Sequence, residues 1–76
     1  MPRLPRVTAT EVHRALQRAG WYEHRSRGGH VILKNDTHPG ARVTLAMHRR
    51  KTVKPKTLQA ILSQAGLSVD EFTELL

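Results

Sequence analysis

The fold is decided by the stretch HVILKNDTHPGARVTLAMH, residues 30–48. Apolar and polar side chains alternate on both sides of a central Asn-Asp-Thr-His-Pro-Gly segment, residues 35–40. Such alternation is typical of strands with one buried face, and a segment of this composition is typical of a loop. The stretch therefore predicts two antiparallel strands, the first starting at His30 and the second running over residues 42–48.

A third strand is predicted on the N-terminal side of this stretch. Residues 21–27 alternate weakly, and Gly28-Gly29 separates them from His30. Glycine tolerates positive φ, which the tight turn of a hairpin requires. The sequence thus predicts a meander of three antiparallel strands, in which Trp21 belongs to the core. The rings of Trp21 and Tyr22 can also stack on bases. The core is favoured for Trp21 because it directly follows a helix stop, and the role of Tyr22 stays open.

Three helices flank the meander. Thr8 and Glu11 form a capping box ahead of a helix predicted over residues 9–19, and Gly20 suits its left-handed end. Pro55 is suited to the first turn of a second helix. Apolar residues at helical spacing carry this second helix to a glycine at position 66. A second capping box, Ser68 with a glutamate three residues on, predicts a short last helix.

The predicted fold class is α+β, in the order α-β-β-β-α-α, with a three-stranded antiparallel sheet. So few apolar residues can cover only one face of the sheet, so the helices should pack on that face against Val31, Leu33, Val43, Leu45 and Met47. The other face should stay open and carry His30, Lys34, Arg42, Thr44 and His48. This order is that of a double-stranded RNA-binding domain. One domain is expected over residues 1–76, with residues 1–7 as a loose basic arm.

The charge of the chain is uneven and predicts a polyanionic partner. The 76 residues contain 13 Lys and Arg against 6 Asp and Glu, a net charge of +7. All the basic residues lie within residues 1–60, whereas residues 61–76 carry only acids. This distribution favours nucleic acid over a membrane surface, because no amphipathic helix with an apolar insertion face accompanies the basic residues. With no signal-like apolar run, the expected location is the cytoplasm.

His30 is the strongest candidate for a catalytic residue. Histidine is the side chain whose ordinary pKa suits proton transfer near neutral pH. RNA supplies its own nucleophile, the 2′-hydroxyl, so a ribonuclease needs a base, an acid and positive charge beside the phosphate. His30 can serve as base or as acid. His48 can be a second acid or base, can position the phosphate, or can simply bond the following turn.

Basic side chains and two glycines are predicted to bind the RNA phosphates. Arginine suits bidentate phosphate contact, glycine lets a backbone approach, and lysines near a helix N-terminus add charge to its free amides. The predicted phosphate-binding residues, besides His48, are Arg25, Arg27, Gly28, Gly29, Arg42, Arg49, Arg50, Lys51, Lys54 and Lys56. No metal site is expected, since the sequence has no cysteine and no His-Glu-x-x-His motif. No cofactor is expected either.

The same fold and charge would also serve a non-catalytic RNA-binding module, and this alternative stays open on residue patterns alone. A DNA-binding regulator acting alone is disfavoured. The last two helices resemble a helix-turn-helix, but the last one carries only acids.

Several collinear segments resemble the HicA toxin family. They are Gly20-Trp21, the segment Arg25-Ser-Arg-Gly-Gly-His30, the strand Val43-Thr-Leu-Ala-Met-His48, and the helical segments Thr57-Leu58, Ile61-Leu62, Gln64-Ala-Gly-Leu-Ser68 and Asp70-Glu-Phe72. Each segment alone has low specificity. Together they cover almost everything from residue 8 to residue 74.

The resemblance implies a toxin that cleaves mRNA independently of the ribosome and so halts translation. It places the catalytic histidine of a Gly-Ser-His motif on His30. It further implies a cognate HicB antitoxin that masks the active face, with promoter DNA contacted through the antitoxin. Two positions depart from the family pattern: Gly29 replaces the motif serine, and Ala46 stands where the family often has proline.

Overall fold

The computed structural model describes residues 3–47 and 51–76, and these form the predicted α-β-β-β-α-α arrangement. The helices are α1 (Ala9–Arg18), α2 (Pro55–Ala65) and α3 (Val69–Leu75). The strands are β1 (Tyr22–Arg27), β2 (His30–Lys34) and β3 (Val43–Ala46), paired antiparallel in the order β1-β2-β3. The predicted α+β fold with an open three-stranded sheet is confirmed.

Local sequence signals set the helix ends as predicted. In α1, the Glu11 amide donates to the Thr8 hydroxyl at 3.2 Å, and the Thr8 amide donates to the Glu11 carboxylate at 2.9 Å. The same reciprocal pair, Ser68 and Glu71, begins α3. Each box satisfies amides that a helix start would otherwise leave without partners.

The core lies between the helices and one face of the sheet. Val31 and Leu33 of β2 and Val43 and Leu45 of β3 are all buried, as predicted. From the helices and their flanks come the remaining buried apolar residues, Val7, Ala9, Val12, Ala15, Leu16, Trp21, Leu58, Ile61, Leu62, Ala65 and Phe72. Met47, predicted on the covered face, is half-buried at its rim.

The structure corrects the prediction at both ends of the meander. Trp21 is buried and precedes β1 instead of belonging to it. Its ring stacks on that of His38, with the two ring centroids 5.7 Å apart. β3 is shorter than residues 42–48: Arg42 and Met47 flank the strand, and His48 lies outside the described residues.

The N-terminal arm is less loose than predicted where it meets α1. Residues 3–6 form no helix or strand, but Val7 is buried and its carbonyl accepts from the Val53 amide at 2.8 Å. Thr8 and Thr52 continue this contact as an isolated antiparallel bridge. The segment just ahead of α2 is thereby held against the start of α1.

The helical layer covers β2 and β3 but leaves β1 exposed along its whole length. By register, Ser26 and Glu23 share the covered face with Val31 and Leu33, yet both are exposed. β1 therefore extends beyond the helices as the exposed edge of the β1–β2 hairpin. None of the helices in the described parts of the chain is long and apolar enough to cross a membrane.

Candidate active site

The β1–β2 turn places His30 as the first residue of the central strand. Gly28 and Gly29 have φ of +55° and +82°, both in the left-handed region that a tight hairpin turn requires. A Cβ atom built at either glycine would meet no atom of the described residues within 4 Å, so those residues leave space there for the backbone of a ligand. His30 itself is exposed.

Register places His30 between Arg27 of β1 and Ala46 of β3. Side chains directly opposite one another in an antiparallel pair lie on the same face, with their Cβ atoms about 4.5–5.5 Å apart. The imidazole thus lies on the open face with a guanidinium beside it on one side and a methyl group on the other. Ala46, whose side chain is a single methyl group, itself adds little bulk beside the imidazole.

The open face is cationic along its length. The residue pairs whose side chains share this face form its rungs. The rung after Arg27 and His30 is Arg25 with Ile32, and Ile32 pairs in turn with Thr44. The last rung pairs Tyr22 with Lys34. Glu23, the acid of β1, pairs with Leu33 and so points to the opposite face. The three strands consequently place no carboxylate on the face that carries His30, which suits it to a polyanion.

Tyr22 and Asp36 close the far end of this face. The Tyr22 hydroxyl donates to the Asp36 carboxylate at 3.1 Å. This hydrogen bond, together with the negative charge of Asp36, raises the pKa of the Tyr22 phenol above its ordinary value. The phenol therefore stays protonated, as a donor should, and the ring is anchored at its tip.

A groove lies at the other end of the sheet, where Ala46 of β3 pairs with His30. It has a volume of about 380 Å³ and lies between the end of β3, the start of α1 and the start of α2. Its described lining is Ala9, Leu45, Ala46, Lys51, Thr52, Val53, Lys54 and Thr57. Because Ala46 both lines the groove and pairs with His30, the predicted lysines at 51 and 54 lie at the histidine's end of the sheet.

The start of α2 differs from the starts of the other two helices. Lys54 occupies its N-cap without a side-chain hydrogen bond, and its first turn contains no acid. The first-turn amides and the helix dipole are therefore left to favour an anion. Lys56 in this turn is exposed.

The structure brings together only part of the predicted phosphate site. Arg27, Gly28 and Gly29 adjoin His30, and Arg25 follows one rung away. Arg42 precedes β3 and lies at the far end of the open face, about 13 Å from Ala46 at the usual rise per residue. Arg49 and Arg50, like His48, lie outside the described residues. Thr52 and Thr57 also line the groove and were not predicted there, since isolated threonines carry no signal until the groove is formed.

The described residues contain no cluster of three or more His, Asp or Glu side chains arranged to hold a metal ion. Among curated proteins, none matches the chain with significant similarity. The family described as HicA toxin of bacterial toxin-antitoxin does match it, over residues 9–67. That stretch includes the β1–β2 turn, His30, the whole sheet and α2. The chain therefore belongs to the HicA toxin family and has the role of the toxin in a bacterial toxin–antitoxin system.

Proposed function

We propose that this toxin is an mRNA endoribonuclease that stops translation by cutting messages, with His30 as its catalytic residue. The observation that carries the proposal is the register of the sheet. It places an exposed histidine beside Arg27 on a face to which the strands contribute cations and no carboxylate. Membership of a toxin family supports the same conclusion.

The reaction uses the RNA's own nucleophile. The 2′-oxygen attacks the adjacent phosphorus and loses its proton to a base, while the bond to the 5′-oxygen breaks and that oxygen receives a proton from an acid. The products are a 2′,3′-cyclic phosphate and a free 5′-hydroxyl. His30 performs one of these two proton transfers, and His48 or water performs the other.

The arginines stabilise the charge that develops on the phosphate oxygens. Arg27 lies directly across the strand pair from His30, and Arg25 lies on the next rung of the same face. A guanidinium can donate two parallel hydrogen bonds to phosphate oxygens, and this support grows as negative charge accumulates in the transition state. Because the nucleophile comes from the substrate, we propose that no metal ion takes part. Cleavage should then persist in EDTA.

The remaining basic residues hold the RNA on either side of the scissile bond. Lys51, Lys54 and the free amides of α2 bind the phosphates that pass over the groove, and Lys56 adds to the field there. Arg42 and Lys34 bind the strand at the other end of the open face. Arg49 and Arg50, whose positions are not described, are proposed to contribute to the same field.

The partner of this toxin is proposed to be a HicB-like antitoxin that covers the open face and thereby excludes RNA. Promoter DNA would be contacted through the antitoxin, not by the toxin itself. The proposed site of action is the cytoplasm, where mRNA is available.

The test compares His30→Ala with a matched control, His24→Ala, which removes an exposed histidine from the neighbouring strand of the same hairpin. Purified proteins are incubated with a defined mRNA, and each is induced in a bacterial host while growth is followed. The wild type and His24→Ala should cut RNA and arrest growth. His30→Ala should have the circular dichroism spectrum and the RNA affinity of the wild type. Its cleavage rate should be lower by a factor of about 10²–10⁴, as expected for loss of an acid–base group.

Wild-type cleavage by His30→Ala would disprove the assignment of the histidine. Tight, salt-sensitive RNA binding without any cutting by the wild type would instead make the protein a non-catalytic RNA-binding module.

A further inference from the structure

Tyr22 and His30 lie at opposite ends of the same face. Tyr22 is the first residue of β1 and pairs with Lys34, the last residue of β2, whereas His30 is the first residue of β2. Arg25 and Ile32 occupy the rung between them. The two rungs are four residue steps apart along β2, a distance of about 13 Å. Neither the catalytic step nor the phosphate contacts proposed above use this tyrosine.

The exposure of Tyr22 is unusual for this protein. Its relative exposure is 44%, and the other exposed large apolar side chain in the described chain is Leu76, at 45% beyond the end of α3. Its hydroxyl is held by Asp36, from the loop after β2. The ring is consequently fixed at its tip while much of its surface faces solvent.

The surroundings of Tyr22 suit an unpaired nucleotide. Ile32 is half-buried and forms an apolar floor between Tyr22 and His30, while Arg25 and Lys34 provide cations on the same face. Asp36 is the nearby acid, and its carboxylate already accepts the hydrogen bond from Tyr22. Aromatic rings alternating with cations are the usual platform for single-stranded nucleic acid, because every base presents a π-face. In a duplex, the faces of the bases are covered by their neighbours.

We propose that Tyr22 is a stacking platform for one unpaired base of the RNA, located a few nucleotides from the bond on which His30 acts. The inference rests on the proposed function in one respect, that the open face binds RNA. It specifies the substrate class as single-stranded RNA. It also means that recognition depends on an unpaired base at a fixed distance from the scissile phosphate.

The experiment measures binding in the His30→Ala background, so that the RNA stays intact. A short unstructured RNA carries the fluorescent base 2-aminopurine, which stacking quenches, and the label is moved one position at a time. Quenching should be strongest at one position. Tyr22→Ala should abolish that quenching and weaken binding about tenfold, the size expected for loss of one base–aromatic stack.

Two further variants separate stacking from other roles. Tyr22→Phe keeps the ring but loses the hydrogen bond to Asp36, so it should retain the quenching and most of the affinity. Leu76→Ala removes a similarly exposed apolar side chain that lies beyond the end of α3. It should leave both the quenching and the affinity unchanged. Circular dichroism and thermal melting establish that each variant is folded.

An abasic substitution completes the test from the RNA side. Placed at the quenched position, it should weaken binding to the parent about as much as Tyr22→Ala does, and the two changes together should cost little more than either alone. Annealing a complementary strand over that position should have the same effect as the abasic site.

Equal quenching at all positions, additive effects of the two changes, or undiminished binding of a duplex would overturn the proposal. So would a Tyr22→Ala protein that binds every RNA normally but no longer binds the antitoxin, since the face would then serve a protein partner. These readouts use a protein that does not need to cut, so failure of the proposed cleavage by the wild type would be seen separately.

Discussion

The two faces of the sheet are built from alternate residues of the same strands, yet they have opposite tasks. On the covered face, Val31 and Leu33 of β2 are buried under the helices. On the other face, His30 is exposed and Ile32 only half-buried. Neighbouring residues therefore differ in what constrains them: packing for one set, access to a ligand for the other.

β1 differs from β2 and β3 because the helices leave both of its sides exposed. Its residues Ser26 and Glu23 lie on the covered face by register but are polar and exposed. Because β1 contributes no buried apolar side chain to the core, arginines can occupy its open side without loss of packing. The hairpin edge is therefore available for binding, because β2 and β3 alone supply the sheet's share of the core.

The largest expected effect comes from breaking the covered face. Leu33→Ala should lower the free energy of unfolding by about 2–5 kcal/mol, since it leaves a cavity in a fully buried site. That is a large share of the stability of a domain of this size. Urea denaturation followed by circular dichroism measures it. Ile32→Ala, the adjacent residue on the open face, is the control and should cost much less; equal losses would contradict the one-sided core.

The next effect concerns charge on the open face. Arg27→Gln should weaken RNA binding about tenfold, the value of one charge-assisted hydrogen bond of about 1.5 kcal/mol, without changing stability. It should also reduce the salt dependence of binding by about one phosphate contact. Fluorescence anisotropy at several salt concentrations measures both quantities.

Arg14→Gln removes the same charge from the exposed surface of α1 and serves as its control. If the two variants lost equal affinity, binding would depend on net charge and not on the open face.

A smaller effect is expected at the turn that joins the two strands. Gly29→Ser introduces the serine of the family motif. Its Cβ would meet no atom of the described residues within 4 Å, but the residue must adopt a φ of +82°. Stability should fall by about 1 kcal/mol because a residue with a Cβ is strained there. Gly29→Ala imposes the same strain without the hydroxyl. A faster cleavage rate for the serine variant than for the alanine variant would show that the hydroxyl assists catalysis; equal rates would show that it does not.

The smallest effect concerns the capping box at the start of α3. Backbone and side-chain hydrogen bonds from Ser68 lower the pKa of Glu71, and those from Thr8 lower that of Glu11. A carboxyl whose pKa is lower in the folded protein stabilises it above the ordinary glutamate pKa. That contribution is lost as the pH falls toward the folded value. Glu71→Gln should therefore reduce the loss of stability between neutral and acidic pH, measured by urea denaturation at several pH values, and should leave RNA binding unchanged. An unchanged acid dependence would contradict this role of the capping box.

Much of the fold could be predicted because its signals are local. The capping boxes, the left-handed glycines at 20 and 66, and the alternation in β2 and β3 each depend on residues within a few positions of one another. The boundaries of β1 and the arm could not be predicted in the same way. Trp21 lies before β1 and packs in the core. Val7 is buried where its carbonyl accepts a hydrogen bond from the amide of Val53, a residue far away in the sequence.

The candidate site divides along the same line. His30, the arginines of β1 and the lysines ahead of α2 were predicted from residue type, charge and neighbouring glycines, which the sequence displays directly. The residue pattern alone also predicts which face of β2 each side chain takes, since alternation follows from the backbone geometry of a strand. The pairing of Arg27 with His30 is equally local, because the two-residue turn Gly28-Gly29 sets it. The tertiary structure is needed to place Ala46 on the other side of His30, Arg42 at the far end, and Lys51 and Lys54 in a groove with Ala46. The β2–β3 register and the docking of α2 join residues distant in sequence, and they are set by packing of the whole core, for which no local pattern exists.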